Sequence, residues 1–348
     1  MATQGSRISN MTNDATIGTR AVSLDEAIEA AASILRASRN PIIAGLGTDC
    51  AGAQEAVALA RAVGGSIDHY RGEAALRDLG VMRRAGWIVT TPLQACARAD
   101  LIVVVGAVLA ESLANLRLDR PPSLAPDRPR RVIHLDAREL GILRALIGKR
   151  PVRDDARTET LAAHAEALSG ARFGVAVWRA ADLDELAIEM LCGLIDDLNK
   201  TTRFAGLPLD PGGNATGVIQ AAAWRSGFPM RTGFGRGYPE HDPWRFDAVR
   251  MVESGEADAA LWVSAIEKMA PPWTRAVTTI ALTAAGTAFA TPPEVAITVG
   301  RPGIDHDAVL FVPSLGTLGF VAADTAAPTV RAADVLARIA SAAGPKPC

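Results

Sequence analysis

No two of the four cysteines, Cys50, Cys96, Cys192 and Cys348, stand close enough in the chain to form a C-x-x-C or C-x-x-H pair. The usual local signature of zinc or iron–sulfur ligation is therefore absent. Such scattered cysteines read as small, partly buried apolar residues. The five histidines, at 69, 134, 164, 241 and 306, form no H-E-x-x-H or comparable ligand pair. Asp305, His306 and Asp307 are consecutive, but successive side chains on a strand point to opposite faces, which argues against a single ion between them. The net charge of −2 supplies no long-range field for nucleic acid or an anionic membrane. The longest apolar run, Leu101 to Ala110, is too short to span a bilayer. The first twenty residues lack the apolar core of a signal peptide, so a cytoplasmic protein is expected.

The 348 residues, 49% apolar and 21% charged, suit a globular chain with two domains or one large one. Residues 1–22 are polar and read as a loose arm. Ser23 and Glu26 then have capping-box spacing, opening a helix that ends at Asn40 and Pro41. PIIAG, the helix AQEAVALARAV and SID follow as strand, helix and strand, the order that builds a parallel sheet. ADLIVVVGA, a helix through Leu113 and Leu116, and RVIHLDA extend the pattern. ADLIVVVGA is echoed by ADAALWVSA at 257–265, which predicts two related α/β units. The expected division is 23–150, 151–300 and a C-terminal segment 301–348 that returns to cover the first unit.

Four stretches hold candidate chemistry. AGLGTDCAG, at 44–52, is a glycine turn opening a helix, with Asp68 at the end of the next strand. That suits a pyrophosphate, although Cys50 stands where the third glycine of the dinucleotide fingerprint belongs. IDHYRGEAALRDLG places His69, Tyr70 and Arg71 at the carboxyl edge of the sheet, without a Ser, Cys or Lys nucleophile. TGFGRGYPEHDPWRF offers Arg236 and Arg245, with Arg231 just before it, for carboxylate or phosphate, and His241 with Asp242 for proton transfer. DRPPSLAPDRPRR, with four prolines and four arginines, is either a solvated connection or a clamp for an anionic ligand or partner.

SRNPIIAGLGTDCAGAQEAVALARAVGGSIDH, ADLIVVVGA and above all LPLDPGGNATGVIQAAAWRSGFPMRTGFGRGYPEHDPWRFDAVRMVESGEADAALWVSA resemble the B subunits of formylmethanofuran dehydrogenases. The resemblance runs from about residue 24 to residue 340. It implies the α/β fold of the molybdopterin oxidoreductases, of formate dehydrogenase type. Two departures bear on function. No cysteine precedes Ala21, so the chain is expected to lack the N-terminal iron–sulfur domain of that family. The family's metal-ligating Cys-His-Gly segment is here Tyr70, Arg71 and Gly72, which offers no thiolate for molybdenum or tungsten.

In these departures the chain resembles the B subunits of the formyltransferase/hydrolase complexes of methylotrophic bacteria. The resemblance then implies a non-catalytic structural subunit with no cofactor, no metal and no catalytic residues. Its partners would be an amidohydrolase-like A subunit, a C subunit and a formyltransferase-like D subunit. Two alternatives stay open: a vestigial cavity lined by Tyr70, Arg71, Arg236, Tyr238 and His241 that takes an anionic methanofuran-type carrier, or a nucleotide- or thiamine-diphosphate-type domain built on the glycine turn.

Overall fold

The structure, a computed structural model, describes residues 15–127, 129–153, 156–325 and 327–345. The chain forms two compact units. Unit one contains the described residues up to Gly72, Gly213–Leu310 and those from Gly319 onward; unit two contains Glu73–Gly212 and Phe311–Leu318. The sequence-based boundaries near 150 and 300 are thus replaced by a nested arrangement. The sheet begun before residue 72 is completed by strands after residue 231, and Glu73–Gly212 folds as its own layer structure. A parallel pairing tolerates any length of crossover, so periodicity alone does not reveal which strands are neighbours.

Unit one is built on a nine-stranded sheet. Its parallel centre is β4 (Ser66–Ile67), β3 (Pro41–Gly47), β11 (Ala259–Ser264), β12 (Thr278–Thr283) and β13 (Val295–Thr298), in that order. Antiparallel flanks are added by β9 (Thr232–Gly233) and β10 (Glu240–His241) at one end and by β1 (Ala15–Ile17) and β2 (Arg20–Val22) at the other. Residues 15–22 of the expected arm are therefore a hairpin, turned at Gly18 with φ +56° and paired to β13. The earlier part of that arm lies outside the described residues. Central strands β3 and β11 are buried along their whole length, as expected of a sheet covered on both faces.

Helix α1 (Leu24–Ala37) starts where the capping box predicts. The Ser23 hydroxyl accepts the Glu26 N–H at 3.2 Å, and the Glu26 carboxylate accepts the Ser23 N–H at 2.9 Å. Helix α2 (Cys50–Val63) ends at Gly64 in the left-handed conformation. The last helix, α11 (Ala332–Ala343), packs on α2 and α1, and α9 (Ala215–Ser226) packs on α2. A separate apolar cluster joins Ile42, Ala44, Ala260 and Trp262 to Phe246 and to Met251 and Val252 of α10 (Ala248–Glu253). Strands β14 (Ala308–Val312) and β15 (Thr317–Val321) form a separate two-stranded sheet, with Gly316 at φ +71° in the turn between them.

Unit two has a four-stranded parallel sheet in the order β6 (Arg131–Leu135), β5 (Leu101–Val105), β7 (Gly174–Trp178) and β8 (Phe204–Pro208). Strand alternation assigns its two faces. Leu101, Val103 and Val105 pack with α6 (Leu140–Ile147), α7 (Ala156–Ser169) and α8 (Glu185–Leu198), while Ile102 and Val104 pack with α4 (Pro92–Arg98) and α5 (Ala110–Asn115). Helix α3 (Gly72–Ala85) brings Asp78 to the buried Trp178, whose indole N–H donates to that carboxylate at 2.9 Å. The echoing segments ADLIVVVGA and ADAALWVSA are β5 and β11, each fully buried in its own sheet. Among the described residues no helix is long and apolar enough to cross a membrane.

Candidate functional site at the sheet switch point

In an open parallel sheet, ligands bind where the strand order reverses, outside the carboxyl ends of two neighbouring strands. In unit one that point lies between β3 and β11. The chain leaves β3 through α2 to β4 on one side, and the next parallel strand, β11, lies on the other. The carboxyl end of β3 turns sharply, with Gly45 at φ +81° and Leu46 at φ +52°. The left-handed region is strained for a leucine, and Leu46 is held there fully buried. The carbonyl of Gly47 accepts the N–H groups of Ala265 and Ile266, just past β11, at 2.7 and 3.1 Å.

Tyr70 occupies this point. Its N–H donates to the Gly45 carbonyl at 3.0 Å. Its ring stacks on His69 at 4.6 Å between centroids and lies 6.4 Å from the Trp262 ring. A Cβ added to Gly47 would lie 2.9 Å from Tyr70 Cε1, and one added to Gly213 would lie 1.7 Å from the phenolic oxygen. Both glycines therefore make room for the phenol rather than for a ligand. The hydroxyl is buried without a hydrogen-bond partner. Burial, with Glu267 adding to it, pushes the phenol's pKa up, so it stays neutral.

The residues before Tyr70 are fully engaged. His69 Nδ1 accepts the Arg71 N–H at 2.9 Å, which places the proton on Nε2, where it donates to the Gly213 carbonyl at 3.1 Å. Burial lowers its pKa to about 4, so the ring is neutral. Asp68 accepts the N–H groups of His69 and Ala248, at 2.8 and 2.9 Å, and lies 3.5 Å from the guanidinium of Arg231. Arg231 also pairs with Asp247 and donates to the Pro243 carbonyl at 2.7 Å. Burial pushes the Asp68 carboxyl up to about 7 against these favourable partners. A pKa near neutrality suits a general acid or base. Here, however, both carboxylate oxygens are already bonded and only 4% of the residue is exposed.

The glycine turn does not leave its helix terminus open either. Asp49 caps α2, accepting the Gly52 N–H at 2.8 Å. A pyrophosphate would meet a carboxylate there, and Asp68 is committed to Arg231 rather than free for a ribose hydroxyl. The nucleotide and thiamine-diphosphate reading is not favoured on these grounds. Sequence reasoning passed over Asp49 as a cap, although an Asp directly before a helix and three residues from Gly52 is the ordinary signal for one.

Arg71 lies beside Tyr70, its guanidinium 5.4 Å from the ring centroid, and pairs with Glu267 at 3.2 Å. In the β9–β10 hairpin, Arg236 pairs with Glu240 at 3.0 Å and Tyr238 is 54% exposed. His241 Nδ1 donates to the Arg231 carbonyl at 3.1 Å, and its ring stacks on Phe228. Asp242 accepts the N–H groups of Trp244 and Arg245, which hold its carboxyl below the usual range. Among the described residues, these hairpin groups share no hydrogen bond, ion pair or ring contact with Tyr70 or Arg71. Asp305 pairs with Arg301, and His306 Nδ1 meets the Asp307 carbonyl.

The residues at the switch point do not fit a thiolate-held metal. Tyr70 supplies a neutral phenol where that ligand would stand. The nearby Cys50 thiol is pushed up to about 11 by burial and Asp49, and it faces the Gly217 carbonyl at 3.8 Å. Among the described residues no three His, Cys, Asp or Glu side chains converge as a metal site.

No protein-family model matches the chain. It is 35% identical over 343 residues, 92% of its own length and 95% of the relative's, to the B subunit of the formyltransferase/hydrolase complex Fhc of Methylorubrum extorquens. A stretch of 68 residues, 20% of the chain and 16% of the relative, is 35% identical to the B subunit of tungsten-containing formylmethanofuran dehydrogenase 2 of Methanocaldococcus jannaschii. The fold matches a chain in the crystal structure of the M. extorquens FhcABCD complex with methylofuran. The TM-score is 0.87 at 34% identity, covering 94% of this chain and 98% of that one.

Proposed function

The chain belongs to the family of B subunits of formyltransferase/hydrolase complexes, and on that premise we propose that it is a non-catalytic, cytoplasmic subunit of such a complex. Its partners are an amidohydrolase-like A subunit, a C subunit and a formyltransferase-like D subunit. Together they move the formyl group from formyl-tetrahydromethanopterin through a methanofuran-type carrier and release formate in one-carbon oxidation. This chain keeps the fold of a molybdopterin oxidoreductase whose redox role has been lost.

The observation that carries this reading is the end-to-end match to the B subunit of Fhc, over 92% of this chain and 95% of the relative. The side chains at the switch point support it: the phenol and imidazole are neutral and the carboxylate is fully bonded. Exposed apolar groups such as Trp224, Trp244 and Phe320, at 64%, 72% and 70%, also suit a surface made for subunit contacts.

Affinity purification of the chain from its native host, with mass spectrometry of the co-purifying proteins, tests the assignment. The expected result is recovery of A, C and D partners in near-equal amounts, with elemental analysis finding no stoichiometric tungsten, molybdenum or iron on this chain. Recovery of the chain alone, or a stoichiometric metal seated in it, overturns the proposal.

A further inference from the structure

At the amino edge of the unit-two sheet, three exposed arginines, Arg98, Arg172 and Arg203, line a cavity of about 380 Å³ together with Leu124 and Phe173. Arg98 ends α4, Arg172 precedes β7 and Arg203 directly precedes β8, so three separate elements converge on one space. Among the described residues, none of the three guanidiniums makes a hydrogen bond or ion pair. The carboxylate in the cavity wall, Asp100, is already used: its two oxygens accept the N–H groups of Arg172 and Phe173, each at 3.0 Å.

A basic residue at the end of a helix ordinarily serves the helix's own free carbonyls. At the end of α4 that task is done by another residue. The Arg130 guanidinium donates to the carbonyls of Ala99 and Cys96 at 2.9 and 2.7 Å, and the Leu124 N–H donates to the Ala97 carbonyl at 3.0 Å. Arg98 is therefore surplus to the helix. Arg130 also pins the proline- and arginine-rich loop against α4, which fixes Leu124 in the cavity wall.

We propose that this cavity binds a small polyanion, a molecule bearing two or more carboxylate or phosphate groups. The volume suits a small ligand, and planar guanidiniums are the side chains best matched to bidentate carboxylate or phosphate contacts. Three positive charges line the cavity against the one negative charge of Asp100, so it keeps a net attraction for an anion.

The test is calorimetric titration of the full chain, isolated with whatever subunits accompany it, with tricarballylate and with pyrophosphate. Saturable binding of at least one probe is expected. Tighter tricarballylate assigns the site to carboxylates, and tighter pyrophosphate assigns it to phosphates. Arg98→Gln, Arg172→Gln and Arg203→Gln should each weaken binding about tenfold. The Arg→Lys variants keep the charge but lose the fork and should weaken it by less. Because the guanidiniums hold nothing in the fold, the unfolding midpoints should stay at the wild-type value. No saturable binding below about 10 mM for either probe, or wild-type binding in the triple Gln variant, overturns the proposal. So does a loss of binding that only follows a lowered unfolding midpoint in both the Gln and the Lys series.

Discussion

The hydroxyl of Tyr70 fills the space that a side chain at residue 213 would need: a Cβ on Gly213 would stand 1.7 Å from the phenolic oxygen. Gly213 also has φ +61°, in the left-handed region, so its lack of a side chain answers two demands at once. Gly213→Ala is expected to cost about 3 kcal/mol or more, from backbone strain and overpacking together. Urea unfolding followed by tryptophan fluorescence reads this, since Trp262 lies beside Tyr70. The double variant with Tyr70→Ala should lose at least about 1 kcal/mol less than the sum of the two single losses. Strict additivity would mean that the phenol and the glycine do not share a space.

Tyr70 itself should show a split between ring and hydroxyl. Its buried hydroxyl has no hydrogen-bond partner, so Tyr70→Phe is expected to leave stability unchanged or raise it by up to about 1 kcal/mol. Tyr70→Ala removes the ring packed on His69 and Trp262 and should cost roughly 3 kcal/mol. A large loss in the Phe variant would show that the hydroxyl is satisfied after all.

Much of the fold is legible in the residues because the relevant signals are local. Ser23 and Glu26 mark the start of α1, and runs such as PIIAG and LIVVV mark strands buried on both faces. The neighbours of those strands are not legible. The pairing of β3 with β11 joins residues more than two hundred positions apart, and nothing in either strand says so. The same applies to the candidate site. Tyr70 and Arg71 stand at a sheet edge, as their position after β4 predicts. Arg236, Tyr238 and His241 belong to the β9–β10 hairpin, which pairs within itself and along the outer side of β4. That Asp68 faces Arg231 rather than a ligand depends on a register set by the same hairpin.

Arg231 lies between Asp68 and Asp247 at 7% exposure, joining the hairpin base to the end of β4. Removing the cation leaves two carboxylates with reduced compensation, one of them deeply buried. Arg231→Met is therefore expected to cost about 3 to 5 kcal/mol. Arg231→Lys should recover little of that loss, because one ammonium cannot span both carboxylates and the Pro243 carbonyl. Recovery of full stability by lysine would show that charge alone is needed there.

Titration of His69 gives the last expectation its sign. Burial lowers the folded pKa to about 4 from the ordinary 6.5, so between those values the unfolded chain binds a proton that the folded chain refuses. Stability from this group is thus complete above pH 6.5 and drains away as the pH falls towards 4. Asp68 acts with the opposite sign. Its carboxyl, raised to about 7 by burial, favours the folded state at low pH and loses that contribution as the pH rises. The two slopes oppose each other in the wild-type chain, so a flat profile there reveals neither. Comparison with His69→Asn isolates the imidazole, because Asp68 is common to both chains. The stability advantage of the wild type over the variant should be about 2 kcal/mol smaller at pH 4.5 than at pH 7.5, measured by urea unfolding at each pH. An advantage that stays constant across that range would mean that the imidazole titrates near its ordinary value, and that burial beside Tyr70 does not hold it neutral.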